Sequence, residues 1–329
     1  MNIAPSWAEN VGPSPFGRGY TSMFAQEKLT VGVYFPIESF DGPEPGMRDQ
    51  IELAQQAESL GFAALWARDV PLNDPQFADL GQIYDPFVWL ATIAAHTNSI
   101  ALATGAIILP LHHPIDVAKA AASLDHLSDG RLVFGAAAGD RPVEFPAYGR
   151  DATLRGELFR DAFDYTEALL KERFPVHASA HYGQLTGGGD LVPKPLSLRL
   201  PILVTGQSQQ SLDWIAQRSD GWVTYPRDVI RQAQVALNWR EALARVGTGF
   251  KPIAQSLYVD LAEDPDAPAS PIHLGFRLGR RRLADLFDNL RSIGVNHVAL
   301  NLKFSRRPVA DVLDEIGREI VPHFSSDCP

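Results

Sequence analysis

Four places in the sequence combine residue types that could do chemistry. Residues 132–148 read LVFGAAAGDRPVEFPAY. Their first six are short and apolar, preceded by the turn Ser128-Asp129-Gly130 and closed off by Gly139, as in a strand covered on both faces. Three alanines and two glycines around its end, Ala138 and Gly139 among them, remove bulk where a flat ligand could meet the backbone. Asp140, Arg141 and Glu144 follow at once, although a Gly-rich turn with surface charges would read the same way. Residues 206–211, GQSQQS, form a turn that leads into a helix. With Gly206, Gln207, Ser208 and Ser211 there, exposed N–H groups and the positive helix end suit a phosphate-sized anion. An ordinary serine cap explains the same residues. Thr104-Gly105-Ala106, inside TGAIILPLHHP, puts small residues in mid-strand. A bulge there brings backbone against a flat ring, or else the core is simply tight. Finally, Arg68-Asp69 ends an apolar run, where the guanidinium can stabilise an anion and the carboxylate can orient it or act as a base. The two can also simply pair with each other.

The elements that must position these residues follow from periodicity. Residues 1–27 mix Trp7, prolines and glycines without a period and are set apart as a flexible N-terminal arm. From there, apolar runs of strand length alternate with helical patterns. Strands are expected at 29–36, 62–69, 100–109, 132–137, 201–206, 221–226, 253–261 and 297–302. Helices are expected at 47–60, 87–95, 115–127, 157–170, 209–218, 229–246, 277–293 and 309–320. Between the fourth helix and the fifth strand lies an irregular, Gly- and Pro-rich insertion, 174–200. Eight alternations call for a parallel sheet, and no GxGxxG follows the first strand. The expectation is a single α/β domain over 28–329, a (β/α)8 TIM barrel. Its site then lies at the C-terminal strand ends, where the residues above collect, joined by Tyr225 after strand six.

Bulk properties remove several classes. The 329 residues carry 29 basic and 39 acidic side chains, a net charge of −10, which argues against a nucleic-acid or anionic membrane partner. No apolar run reaches the roughly 18 residues of a membrane span, and no signal-peptide pattern opens the chain. One cysteine, Cys328, leaves no disulfide framework or thiolate metal site. His112 and His113 are adjacent and point opposite ways along an extended chain, so no metal is expected. The expected setting is cytoplasmic.

The blocks TGAIILPLHHP, VAKAAASLDHLSDGRLVFGAAAG with EFPAYG, and LVPKP followed by LPILVTGQS resemble the bacterial-luciferase-like flavin monooxygenases. The resemblance spans residue 29 to about residue 324. It implies a TIM barrel, usually dimeric, that uses reduced FMN from a separate NAD(P)H:flavin reductase, or a bound flavin or deazaflavin. It implies that Gly105-Ala106 is a bulge, often with a non-prolyl cis peptide, under the isoalloxazine. Ala138 and Gly139 border the flavin, Gln207, Ser208 and Ser211 hold its phosphate, and Tyr225 approaches from strand six. Thr104 and Gly206 belong to the same two turns. Where many relatives end strand two in Glu-His, this chain has Arg68-Asp69, so light emission from a long-chain aldehyde is not implied. The reading is a flavin-dependent monooxygenase or oxidoreductase on a small organic substrate, with a homodimer and a transient flavin reductase as partners. The alternatives are a deazaflavin-dependent hydride transferase and a non-catalytic flavin-binding protein.

Overall fold

The structure, a computed structural model, describes residues 14–77 and 83–324. Cys328, residues 1–13 of the expected arm and part of the 70–84 loop lie outside these.

Eight parallel strands form the centre: β1 Thr30–Tyr34, β2 Ala64–Ala67, β3 Ala101–Thr104, β4 Leu132–Ala137, β5 Ile202–Thr205, β6 Gly221–Thr224, β7 Ile253–Leu261 and β8 His297–Asn301. Each pairs with the next, and β8 returns to β1 with Thr30 opposite His297, so the barrel closes. The helices are α1 Gln50–Ser59, α2 Pro86–Ala94, α3 Pro114–Leu127, α4 Arg155–Lys171, α5 Leu212–Arg218, α6 Val229–Val246, α7 Arg280–Ser292 and α8 Val309–Glu319. Their limits are written locally. Asp85 accepts a hydrogen bond from Val88 N and Pro86 opens α2, while Asp228 caps α6 and Gly247, at φ 69°, ends it.

Alternation along the strands divides the core in two. Leu65, Leu102 and Phe134 point outward to the helices. Ala64, Ala101, Ala103, Ala254 and Ala299 point inward, and this run of alanines leaves the barrel interior room for Trp66 and Tyr34.

Several elements differ from those expected. The strand expected over 100–109 is broken: β3 stops at Thr104, the Gly105-Ala106 peptide is cis, and Ile107–Ile108 pairs with β4 instead. α5 begins at Leu212 rather than at Gln209, because Gly206, Ser208 and Gln209 all take positive φ. The insertion contains an antiparallel hairpin, Val176–Ser179 with Gly183–Thr186. α7 begins at Arg280 rather than Arg277. β7 outruns the barrel, and its exposed edge is paired by Gly275–Leu278, itself paired with Ser270–Ile272.

The N-terminal segment also needs correcting. Residues 14–27 do not trail away from the domain. The helix Arg18–Met23 packs across the N-terminal end of the barrel with Tyr20, Met23 and Phe24 buried, and Tyr20 donates to the Asp220 carbonyl at 2.7 Å. Apolar side chains spaced at Tyr20, Met23 and Phe24 make one helical face, too short a pattern to stand out among prolines and glycines. Among the described residues, no helix is long and apolar enough to cross a membrane.

Candidate active site

At the other end of the barrel the strand ends enclose a cavity of about 350 Å³. Its floor and one wall are small: Gly105 and Ala106 after β3, and Ala137, Ala138 and Gly139 at the end of β4. Two of these glycines are required by their surroundings. A Cβ on Gly105 would lie 2.6 Å from the Tyr34 hydroxyl and 2.8 Å from the Trp66 ring. Gly139 sits at φ 80°, and a Cβ there would meet the Ile108 side chain at 2.7 Å. The result is a slot whose wall is largely backbone, the shape a flat ring needs.

The adjoining side is polar. Thr205, Gly206, Gln207 and Ser208 follow β5, Tyr225 follows β6, and Tyr258 comes from β7. The Ser208 hydroxyl donates to the Thr205 carbonyl at 2.9 Å and accepts from Ala138 N at 3.1 Å. It ties the ends of β4 and β5 together, and its hydrogen is already committed. Thr205 is different: its Oγ1 is buried and has no hydrogen-bond partner among the described residues. A buried hydroxyl that lines a cavity without a partner fits a ligand that supplies one. Arg155, in the first turn of α4, brings a guanidinium to the same wall. Together with the Gln207 amide, these groups suit a phosphate.

Two expected site residues lie elsewhere. Ser211 caps α5, accepting from Trp214 N at 3.2 Å, and it is exposed away from the cavity wall. Thr104 is fully buried, donating to the Gly135 carbonyl at 2.9 Å and accepting from Gly135 N at 2.8 Å. It braces the strand in place of a broken ladder and does not reach the cavity. Gly105, Ala106, Ala138, Gly139, Gly206, Gln207, Ser208, Tyr225, Arg68 and Asp69 are brought together at the cavity.

The charged corner departs from the sequence reading. Among the described residues, Asp69 does not pair with its neighbour Arg68. Its Oδ2 accepts from Ile108 N at 2.9 Å and lies 2.6 Å from Nε2 of His112. Burial works against charge on His112, but the hydrogen bond and field of Asp69 raise its pKa above that of an ordinary imidazole. Arg68 faces Tyr34: burial pushes the Tyr34 hydroxyl pKa up, and the Arg68 charge opposes that rise. Glu144 is almost fully buried, with the Arg141 guanidinium 4.0 Å from its Oε1, beyond hydrogen-bond reach. Burial lifts its pKa to about 7, with Arg141 pulling the other way and Asp69 and Asp140 adding to the rise. The corner therefore holds an imidazole and a carboxyl group whose pKa values are both raised.

Tyr34, His112, Arg155 and Tyr258 were not singled out from sequence for the site. His112 was weighed only as a metal ligand, and its neighbour His113 proves to be a helix cap, accepting from Ile115 N. Arg155 opens a helix well past the end of β4 at Ala137, where no local pattern marks it.

Comparison with known proteins agrees with this geometry. Residues 29–279 match the family described as luciferase-like monooxygenase. A Mycobacterium tuberculosis protein described as uncharacterized is 33% identical over 211 residues, 63% of this chain and 71% of that one. The 4-hydroxyprotoasukamycin monooxygenase of Streptomyces nodosus subsp. asukaensis is 33% identical over 154 residues, 46% of this chain and 40% of that one. The F420-dependent hydroxymycolic acid dehydrogenase of Mycobacterium tuberculosis is 31% identical over 183 residues, 54% of this chain and 48% of that one. In fold, the chain superposes on an F420-dependent secondary alcohol dehydrogenase with TM-score 0.74 at 18% identity, covering 90% of this chain and 98% of that one. It superposes on the FMN-bound oxygenating component of 3,6-diketocamphane monooxygenase from Pseudomonas putida with TM-score 0.71 at 17% identity, again over 90% and 98%. The relatives thus include both FMN- and F420-dependent enzymes, on one barrel. With three quarters of its length inside the matched region and a backbone-lined slot at the mouth of the barrel, this chain belongs to the luciferase-like monooxygenase family.

Proposed function

We propose that this chain is a flavin-dependent monooxygenase that takes reduced FMN from a separate NAD(P)H:flavin reductase and uses dioxygen on a small organic substrate. The observation that carries the proposal is the slot of small residues, Gly105-Ala106 and Ala137 to Gly139, facing the polar turn after β5. Bound there, reduced FMN supplies the electrons that activate oxygen; the protein's work is to hold the ring, exclude water and place the substrate. The backbone at Ala106, Ala138 and Gly139 lies against the ring. Thr205 Oγ1, Gln207 and Arg155 hold the phosphate. Tyr34 and Arg68 border the ring from β1 and β2. We further propose a homodimer working in the cytoplasm with the reductase as a transient partner.

The competing reading is hydride transfer with a deazaflavin, favoured by the F420-dependent relative that matches 54% of the chain. Titrating the purified protein with FMN and with F420, read by quenching of cofactor fluorescence, tests both. Tight FMN binding, with NADH oxidation that needs a reductase, oxygen and an added substrate, is the expected result. F420 binding without FMN binding would move the assignment to hydride transfer. Tight flavin binding with no oxygen chemistry would make the chain a binding protein.

A further inference from the structure

Asp69 and His112 meet at the edge of the cavity, and nothing in cofactor binding requires that they do. Asp69 lines the cavity with its side chain only 5% exposed. His112 lies outside the lining, behind Asp69, and keeps 27% of its side chain exposed. The link between them is the 2.6 Å contact of Oδ2 with Nε2. The carboxylate therefore borders ligand on one side and an accessible imidazole on the other. Ile108 N fixes Asp69 by a further hydrogen bond, and the Tyr148 ring stands edge-on to the imidazole at 5.9 Å.

We infer that Asp69 and His112 act as one acid–base pair serving the cavity, with Asp69 as the group that touches the ligand and takes its proton, and His112 as the positioning residue that donates to it and, when neutral, leaves it basic. The inference rests on the flavin reading above. A ligand O–H or N–H bond placed on Asp69 breaks, and its electron pair stays on the ligand atom. The proton forms an O–H bond on the carboxylate, while neutral His112 keeps its hydrogen on Nε2 and donates it to Asp69 Oδ2. The pair goes from a net charge of −1 to zero, and loss of that proton to water resets it. When the exposed imidazole takes a second proton, at Nδ1, its positive charge beside Asp69 makes the carboxylate a weaker base.

The groups facing His112 decide its pH range. Asp69 comes from the end of β2, Asp85 from the start of α2, and Glu144 and Tyr148 from the segment after β4. Burial disfavours the imidazolium, and the three carboxylates together favour it more strongly. The pair accepts a proton only above this raised pKa, so its activity as a base is lost as pH falls through it. Glu144, with its pKa lifted to about 7, also titrates and must be separated from His112 by mutation.

The test uses two readouts on the full chain. Nitrogen-15 NMR of labelled histidine, with H112Q to identify the signal, should show His112 titrating above the ordinary imidazole value of 6.5. In D69N, which keeps an oxygen for Ile108 N, that midpoint should fall, because the largest of the effects that raise it is gone. The second readout is stopped-flow reoxidation of reduced FMN, in which two electrons and two protons pass to dioxygen and give hydrogen peroxide. The wild-type rate should rise with pH at the midpoint seen by NMR. In H112Q that rise should vanish and the rate fall by roughly a hundredfold, the scale of lost acid–base assistance, with FMN affinity and the melting temperature nearly unchanged. E144Q should keep the rise. A pH profile unchanged in H112Q overturns the inference, and so does a His112 midpoint that is the same in D69N as in wild type. Loss of FMN binding by the wild type itself would instead overturn the flavin reading, while the NMR midpoint would still report whether the pair exists.

Discussion

The two ends of the barrel are built on opposite principles. At the N-terminal end Arg131 and His297 are buried and fully answered. Arg131, about 2% exposed, donates to Ser128 O, Ile100 O, Ala94 O, Thr97 O and Thr97 Oγ1, gathering the carbonyl-rich ends of α2 and α3 on one guanidinium. His297 is answered on both nitrogens. Trp66 Nε1 can only donate, so it donates to Nε2, and Nδ1 carries the hydrogen that goes to Thr30 Oγ1 at 2.7 Å. With the ring neutral and wholly buried, its pKa falls to about 3. At the C-terminal mouth, by contrast, Thr205 Oγ1 and Glu144 Oε1 are buried without a hydrogen-bond partner among the described residues. The wall there is glycine and alanine. Satisfaction at one end and incompleteness at the other is how a rigid frame can carry a site that a ligand completes.

Breaking the base should cost stability and leave binding alone. Arg131→Met strands several buried carbonyls and should destabilise the fold by about 3–5 kcal/mol, the range for removing one side of a buried charged contact. The check is a thermal melt beside an FMN titration. Normal affinity per folded molecule is expected, and a stable variant with weakened binding would break the division between the two ends.

Changes at the mouth should do the reverse. Ala106→Leu fills the slot and should weaken FMN binding by roughly a hundredfold, at the upper end of overpacking costs, while the protein without cofactor melts close to wild type. If that protein unfolds while its folded fraction binds FMN normally, tight core packing explains the alanine. Arg155→Met removes a charge-assisted contact to the phosphate and should raise the FMN dissociation constant about tenfold, with no loss of stability. Riboflavin, which lacks the phosphate, should bind wild type and variant alike, and a difference there would place Arg155 on another part of the ligand. The smallest effect is expected at Ser211. Ser211→Ala loses the cap of α5 and should cost about 1 kcal/mol of stability, leaving FMN affinity intact. A large fall in affinity would return Ser211 to the phosphate site.

These contrasts track what could be read along the chain. The LDHLSDGR run carried the family resemblance, yet its work is structural. Asp125 accepts from Leu196 N and Arg131 ties the helix ends, so a conspicuous motif marked the frame and not the chemistry. The small residues at 105–106 and 137–139 were legible because a cavity wall made of backbone must be written as glycine and alanine. Ser211 was misplaced for a definite reason. Three positive φ angles between Gly206 and Gln209 delay the helix, and this moves Ser211 away from the wall and turns the Ser208 hydroxyl toward Thr205 O.

The charged corner shows where sequence runs out. Arg68 and Asp69 are adjacent, and adjacency suggested a pair. Both lie just past the end of β2, where Asp69 meets His112, 43 residues away, and the Arg68 charge acts on Tyr34. Sequence alone determined the eight alternations, the parallel barrel and the end of it that carries the site, because burial on two faces and helical amphipathicity are properties of local patterns. Tertiary structure alone decided which charges meet. The pairing of Asp69 with His112, the arrival of Arg155 at the cavity and the shift of Glu144 to a pKa of about 7 all depend on desolvation and on distances across strand ends. Those distances are set when the barrel closes, and no local pattern encodes them.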